Sequence, residues 1–92
     1  MEYLRNDLKL DAAVKESFLA RIPEMKPAEI AGIEVLDIVT SDGIKFLLSD
    51  DAWLLLRPSG TEPLVRIYAE AGTMGVVDDL LAAGKMLVMG DA

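Results

Sequence analysis

The sequence contains no cysteine and no histidine. Without cysteine, the chain can form neither a disulfide framework nor a zinc or iron–sulfur site with thiolate ligands. Without histidine, it lacks the side chain that most often acts as a general base or as a metal ligand. Any chemistry that depends on these two residue types is therefore excluded from this chain.

Basic residues are also scarce, with nine Lys and Arg against sixteen Asp and Glu, which gives a net charge of −7. An acidic protein repels nucleic acids and anionic membranes, because both bind to clusters of positive charge. No apolar run approaches the roughly 20 residues that a membrane-spanning helix needs, and the first residues lack the pattern of a signal peptide. We therefore expect a cytoplasmic protein with no nucleic acid and no membrane as partner.

The length and composition predict a single folded domain over residues 1–92. A chain of this size buries about 60–65% of its unfolded surface, which is enough for one modest core. Its 52% hydrophobic and 27% charged residues are typical of a folded domain and exclude intrinsic disorder.

The first half of the chain predicts one helix. Val14, Phe18 and Ile22 recur at a spacing of four residues, which is the pattern of an amphipathic helix over Ala12–Ile22. Asp11 is a suitable N-cap, and Pro23 ends the helix because a proline disfavours helical backbone in the residue before it. Residues 1–10 fit either a linker or a crossing strand, and residues 24–32 read as a loop.

The second half predicts a sheet and a second helix, with four strands at Ile33–Thr40, Ile44–Leu48, Ala52–Arg57 and Leu64–Ala71. Short turns join them, and strands joined by short turns pair antiparallel. A last helix follows Thr73. We expect an α+β fold of two layers, a four-stranded antiparallel sheet with both helices on one face and with Trp53 in the core.

One loop carries the residues best suited to bind an anion, the run Arg57-Pro58-Ser59-Gly60-Thr61-Glu62-Pro63 with Arg66 beyond it. An arginine at a strand end can contact two phosphate oxygens at once. Ser59 and Thr61 add hydroxyl groups, and a ligand can approach the backbone of Gly60 because it has no side chain. We expect the N–H of Gly60 or of Thr61 to be free of hydrogen bonds within the protein.

The same residues also fit an ordinary hairpin loop with a solvated arginine. The loop is not a Walker loop, because no glycine-rich run with a following lysine is present. Ser59 is not expected to be a nucleophile, because no histidine is available to activate it. The adjacent carboxylates Asp50-Asp51 and Asp78-Asp79 point in different directions, so neither pair is expected to bind a metal. We therefore expect no catalytic residue and no metal site in this chain.

The run from Trp53 to Ala71, with its Arg-Pro-Ser-Gly-Thr-Glu-Pro loop, resembles the C-terminal domain of the α-D-phosphohexomutases, the phosphoglucomutase/phosphomannomutase enzymes. The turn at Asp42-Gly43-Ile44-Lys45 is similar to a hairpin of the same family. The resemblance covers roughly residues 33–88. It implies a sheet with two helices like half of a TATA-binding protein, as the C-terminal phosphate-binding domain of a four-domain isomerase.

This resemblance also implies a function for the loop. Family members interconvert hexose 1-phosphates and 6-phosphates through a bisphosphorylated sugar. A phosphoserine and Mg²⁺ lie in upstream domains, and a hexose 1,6-bisphosphate is the activator. The last domain holds the phosphate that is not transferred, which assigns substrate phosphate binding to Arg57, Ser59, Gly60 and Thr61, with Arg66 as a further candidate. The implied partners are a phosphosugar and the upstream domains, and the domain alone is expected to be inactive.

Two positions refine the resemblance. Leu64 stands where relatives carry a lysine, so one positive charge is missing. Tyr68 resembles the phosphoglucomutase/phosphomannomutase branch more than the phosphoglucosamine branch, although the choice among glucose, mannose and glucosamine phosphates stays open. Two other functions also stay open, a stand-alone phosphosugar or anion-binding module without catalysis, and an interaction domain with an exposed apolar patch.

Overall fold

Six strands and two α-helices make up the fold in the computed structural model, which describes residues 1–90. In chain order they are β1 (Glu2–Lys9), α1 (Ala12–Arg21), β2 (Glu29–Ile30), β3 (Ile33–Val39), β4 (Ile44–Leu48), β5 (Trp53–Pro58), β6 (Leu64–Ala71) and α2 (Met74–Met89). Short 3₁₀ turns occupy Ile22–Glu24 and Ser49–Asp51. Within residues 1–90, neither helix has the length and apolarity needed to cross a membrane.

The strands form one sheet in the order β1-β6-β5-β4-β3-β2, and all pairs are antiparallel. The predicted α+β class and antiparallel pairing are confirmed, but the predicted number of four strands is wrong. The added β1 pairs with β6 along its whole length, from Glu2 opposite Ala71 to Lys9 opposite Leu64. As an edge strand it is almost entirely exposed, so its sequence shows no apolar alternation. The added β2 has two residues, too few for a period to appear.

The hydrophobic core lies between the helices and one face of the sheet. Phe18 of α1 and Val77 and Leu80 of α2 are fully buried in one cluster with side chains of β4, β5 and β6. Helix α2 approaches the sheet closely at Gly84, where an added Cβ would lie 2.9 Å from Ile67 Cγ2. The glycine that weakens the helix is therefore the residue that lets α2 pack against the sheet.

The two helices are joined at their C-terminal ends by Arg21. Its guanidinium donates from Nη1 to the Leu87 carbonyl at 2.9 Å and from Nη2 to the Val88 carbonyl at 2.7 Å. These carbonyls belong to the last turn of α2, where backbone acceptors lack partners within the helix. A cation there is also favoured by the helix dipole. The contact therefore fixes α1 on α2.

A two-residue turn joins β2 to β3, and it predicts a stabilising substitution. Ala31 and Gly32 have φ of 52° and 77°, the pattern of a type I′ turn, which favours Asn-Gly. Alanine is strained at positive φ, whereas asparagine tolerates it. We expect Ala31→Asn to raise the free energy of unfolding by about 0.5–1 kcal/mol, measured by urea denaturation. Ala28→Asn, at an exposed position with ordinary φ, is the control and should change nothing.

Candidate functional site

The loop between β5 and β6 is folded by Ser59. Its N–H donates to the Leu64 carbonyl at 3.0 Å, and its Oγ accepts from the N–H of Glu62 at 3.2 Å and of Thr61 at 3.4 Å. The residue is 8% exposed. A serine hydroxyl that accepts from backbone N–H groups two and three residues ahead closes a local turn. Ser59 therefore organises the loop, and its hydroxyl keeps one proton to donate.

Gly60 and Thr61 form the exposed tip of this loop. Within residues 1–90, the Gly60 N–H and the Thr61 hydroxyl donate no hydrogen bond. An added Cβ at Gly60 would meet nothing within 4 Å, so the space above its backbone is open. The Thr61 N–H makes only the long contact to Ser59. The loop thus presents one backbone N–H and one hydroxyl to solvent.

The two arginines lie beside each other on neighbouring strands. Arg57 of β5 is directly opposite Arg66 of β6, and both occupy the sheet face that the helices do not cover. Like charges at directly opposite positions destabilise a sheet. Each arginine contacts one carboxylate through Nε, Arg57 with Asp42 Oδ2 at 3.1 Å and Arg66 with Asp7 Oδ1 at 3.8 Å. Both side chains keep exposed surface, 51% and 33%. Two partly exposed guanidinium groups, each beside one carboxylate, therefore border the loop.

Asp42 reaches Arg57 because its turn lies against β5. Gly43 has a φ of +81°, and an added Cβ would lie 2.2 Å from the Leu56 carbonyl oxygen and 3.0 Å from Arg57 Cα. Only glycine permits this approach. The sequence indicates the turn but not its contact with Arg57. Hairpin register could have revealed it, since pairing Ile44 with Leu56 brings the turn next to Arg57.

Lys15 of α1 is a second residue that the sequence analysis missed. Its Nζ donates to the carbonyl of Ser59 and, at 2.9 Å, to the carbonyl of Glu62. Between α1 and the loop lies an open groove of about 410 Å³, lined by residues that include Lys15, Gly60 and Thr61. The contact joins residues 44 and 47 positions apart. No local pattern signals such a contact, because a lysine on a helix resembles any solvated charge.

Trp53 does not lie in the core, so that prediction is wrong. The side chain is half-buried on the sheet face away from the helices. Its Nε1 donates to Glu70 Oε1 at 2.8 Å, and Lys45 Nζ lies 4.5 Å from its ring centroid. Because β5 is apolar at nearly every position, its composition could not show which alternate residues face the helices.

The carboxylates of the described part of the chain do not gather into a metal centre. Within residues 1–90, no group of three or more His, Cys, Asp or Glu side chains lies close enough to bind one ion. Asp50 and Asp51 form a turn with positive φ, and Asp78 and Asp79 are exposed on α2.

Comparisons with known proteins match most of the chain. Residues 11–83 match the family model described as phosphoglucomutase/phosphomannomutase, C-terminal domain. A probable phosphoglucosamine mutase of Pyrococcus horikoshii is 35% identical over 92% of this chain and 18% of its own length. A phosphoglucosamine/phosphogalactosamine mutase of Sulfurisphaera tokodaii is 36% identical over 91% of this chain and 17% of its own length. A phosphoglucomutase/phosphomannomutase of Thermococcus kodakarensis is 41% identical over 68% of this chain and 14% of its own length. The chain thus spans less than a fifth of each of these relatives.

Proposed function

The chain belongs to the phosphoglucomutase/phosphomannomutase family as its C-terminal domain, and from this premise we propose that it holds the phosphate group of a phosphosugar. The group held is the phosphate that is not transferred in the reaction. The bound atoms are phosphate oxygens, and the donors come from the β5–β6 loop and the two strands beside it. The domain itself supplies no catalytic residue.

The observation that carries the proposal is the side-by-side placement of Arg57 and Arg66 next to a loop with a free Gly60 N–H. Asp42 and Asp7 offset these two positive charges only in part, since the Arg66–Asp7 contact is long at 3.8 Å and Asp7 also contacts Arg5 at 3.3 Å. A dianionic phosphate between the two arginines would lower the repulsion that remains. Asp42 and Asp7 contact the arginines through Nε, rather than through the paired Nη groups. Guanidinium groups bind phosphate oxygens in pairs, which gives direction as well as strength.

Each loop residue has a distinct part in this proposal. Arg57 supplies a permanent charge and a forked contact, and Arg66 adds a second charge. Gly60 donates its backbone N–H at close range, and Thr61 donates its hydroxyl group. Ser59 keeps the loop in shape through its Oγ and donates its remaining proton toward the ligand.

The activity of the whole protein is a wider part of the proposal. We infer an isomerase that interconverts a sugar 1-phosphate and 6-phosphate through a bisphosphorylated sugar. Mg²⁺, a phosphoserine and the hexose 1,6-bisphosphate activator belong to the whole enzyme, and within residues 1–90 no group of carboxylates lies close enough to bind the ion. When bound, the ion stabilises the charge of the phosphate being transferred. The 92-residue chain alone is expected to turn over no substrate.

The identity of the sugar in the substrate follows less directly from this domain than the presence of a phosphate group, because the named relatives differ in the sugar. The names of the relatives given above refer to glucosamine, galactosamine, glucose or mannose phosphates. A further relative, a phosphopentomutase of Thermococcus kodakarensis, is 45% identical over 51% of the chain. These names share a phosphate and differ in the sugar, which fits a domain that contacts the phosphate. The preference that Tyr68 suggests for the glucose and mannose branch stays a prediction.

Gly60 offers a test in which folding and binding are separated. Its backbone is not in the positive φ region and its surroundings are open, so Gly60→Ala should leave the melting temperature unchanged. The added methyl group keeps a phosphate away from the N–H. We expect the Kd of the chain for glucose 6-phosphate, followed by amide chemical shifts, to rise about tenfold, the loss of about one hydrogen bond to a charged group.

Gly72→Ala is the matched control, because that site is equally open and lies at the far end of β6. It should bind glucose 6-phosphate as the original chain does. The proposal fails if glucose 6-phosphate moves the amide signals of the β5–β6 loop no more than glucose does. An unchanged Kd in Gly60→Ala would show that the Gly60 N–H does not contact the phosphate, and the arginines would then be the remaining candidates for phosphate binding.

A further inference from the structure

Lys15 lies on the α1 side of the β5–β6 loop, and its hydrogen bonds to the loop all go to backbone carbonyls. We infer that Lys15 is a positioning residue that turns the Gly60 N–H toward the bound phosphate. The inference rests on the proposed function, because it explains how that donor is aimed. It adds a residue of α1, a helix that contributes nothing to the loop sequence itself.

The geometry of the peptide bond gives the first step. The Ser59 carbonyl and the Gly60 N–H belong to one peptide unit, and residues 1–90 contain no cis peptide bond. In a trans peptide, the C=O and N–H point in opposite directions. Lys15 donates its hydrogen bond to the Ser59 carbonyl oxygen from the α1 side. The Gly60 N–H must therefore point away from α1 and into open space.

The second step is that Lys15 is itself held firmly. It lies on α1 three residues before Phe18, which is fully buried in the core. At the end of the same helix, Arg21 bonds two carbonyls of α2. The lysine side chain is half-buried, and its ammonium bonds the carbonyls on both sides of the loop tip, at Ser59 and Glu62. With its backbone fixed by the packed helix and its ammonium group bonded to the loop, the lysine has lost the rotamer freedom that weakens the contacts of surface lysines.

The third step is that local bonds do not fix this peptide unit. Ser59 Oγ holds the N–H groups of Thr61 and Glu62, which follow the unit, and Ser59 N–H, which precedes it, bonds Leu64. The Gly60 N–H has no partner within residues 1–90. A peptide next to glycine can rotate as a unit, because glycine accepts a wide range of φ. Lys15 is thus the contact that sets its direction.

The test compares Lys15→Met, which keeps the apolar stem but removes the donor, with Lys15→Arg, which restores donors and charge. In the unliganded chain, the order parameter of the Gly60 N–H should fall from about 0.85 to below about 0.6 in Lys15→Met, while core amides stay rigid. The Kd for glucose 6-phosphate should rise about three- to tenfold. Lys15→Arg should recover most of both values.

Lys85→Met is the control for charge, since it removes one positive charge from an exposed position on the other helix. It should change neither the Gly60 order parameter nor the Kd. Unchanged order at Gly60 in Lys15→Met overturns the inference even if binding weakens, because binding then responds to charge alone. Lost order with an unchanged Kd overturns it as well. If the original chain does not bind glucose 6-phosphate, the proposed function fails in this chain, whereas the order parameters still report whether Lys15 holds the peptide.

Discussion

Arg57→Ala is expected to weaken phosphate binding by about ten- to a hundredfold. The substitution removes a forked, charge-assisted contact worth about 1.5–3 kcal/mol, and each 1.4 kcal/mol corresponds to a tenfold change. In the 92-residue chain the measured quantity is the Kd for glucose 6-phosphate. In a full-length mutase that carries this domain, it is kcat/KM, which should fall by the same factor.

The matched variant is Arg57→Lys, which should recover only part of the loss, since an ammonium group cannot contact two oxygens in a fixed plane. Arg57 is half exposed and its one ion pair, with Asp42, is at the surface. Surface pairs contribute little, so the melting temperature of Arg57→Ala should stay within a few degrees of the original. Undiminished binding in Arg57→Ala would end the phosphate-binding proposal. A collapsed melting temperature would instead identify Arg57 as a structural residue.

Gly43→Ala should cause the largest loss of stability of any single change described above. The position has a φ of +81°, and the added Cβ would lie 2.2 Å from the Leu56 carbonyl oxygen, a distance that real contacts do not show. Neither that oxygen nor Arg57 Cα can move aside, because both belong to the backbone of a strand paired on both sides. We expect a loss of about 3 kcal/mol or more in the free energy of unfolding, or about 12–24 °C in Tm.

Gly72→Ala again provides the control, because its site is open and has no positive φ, so its Tm should change by only a few degrees. A Gly43→Ala protein with an unchanged Tm would contradict the close packing of the turn on β5. If the variant folds, it should also bind glucose 6-phosphate more weakly, because the added Cβ would lie 3.0 Å from Arg57 Cα and displace that residue. The two effects are separable by titrating the variant well below its Tm.

Part of the fold could be predicted because its signals are local. Helix α1 ends one residue from the predicted boundary, and the predicted cap Thr73 accepts the Val76 N–H at 3.3 Å. The hairpin at Asp42-Gly43 and the strand β6 were also predicted, since turn chemistry and alternation lie within a few residues. Strand β1 could not be distinguished from a linker, because no local signal marks it as a strand. Its place is set by pairing with β6, more than fifty residues away in the chain.

The candidate loop itself was found from sequence, but its internal order was not. Arg57, Gly60 and Thr61 are exposed at the loop and the strand end. Ser59, named as a direct donor, is largely buried and holds the loop together through Oγ. The hydroxyl can accept from nearby backbone N–H groups and still donate its own proton, and only the folded path of the loop shows that Oγ has this first role.

By itself, the sequence determined the family, the α+β class with antiparallel strands and the position of the β5–β6 loop, because short runs of neighbouring residues carry the signal for each. Only the tertiary structure decided that Arg57 and Arg66 are cross-strand neighbours, that Asp42 contacts the first of them, and that Lys15 holds the loop from the α1 side. These facts depend on strand register and on where a helix packs. Both are set by the burial of side chains from the whole chain, so no local pattern contains them.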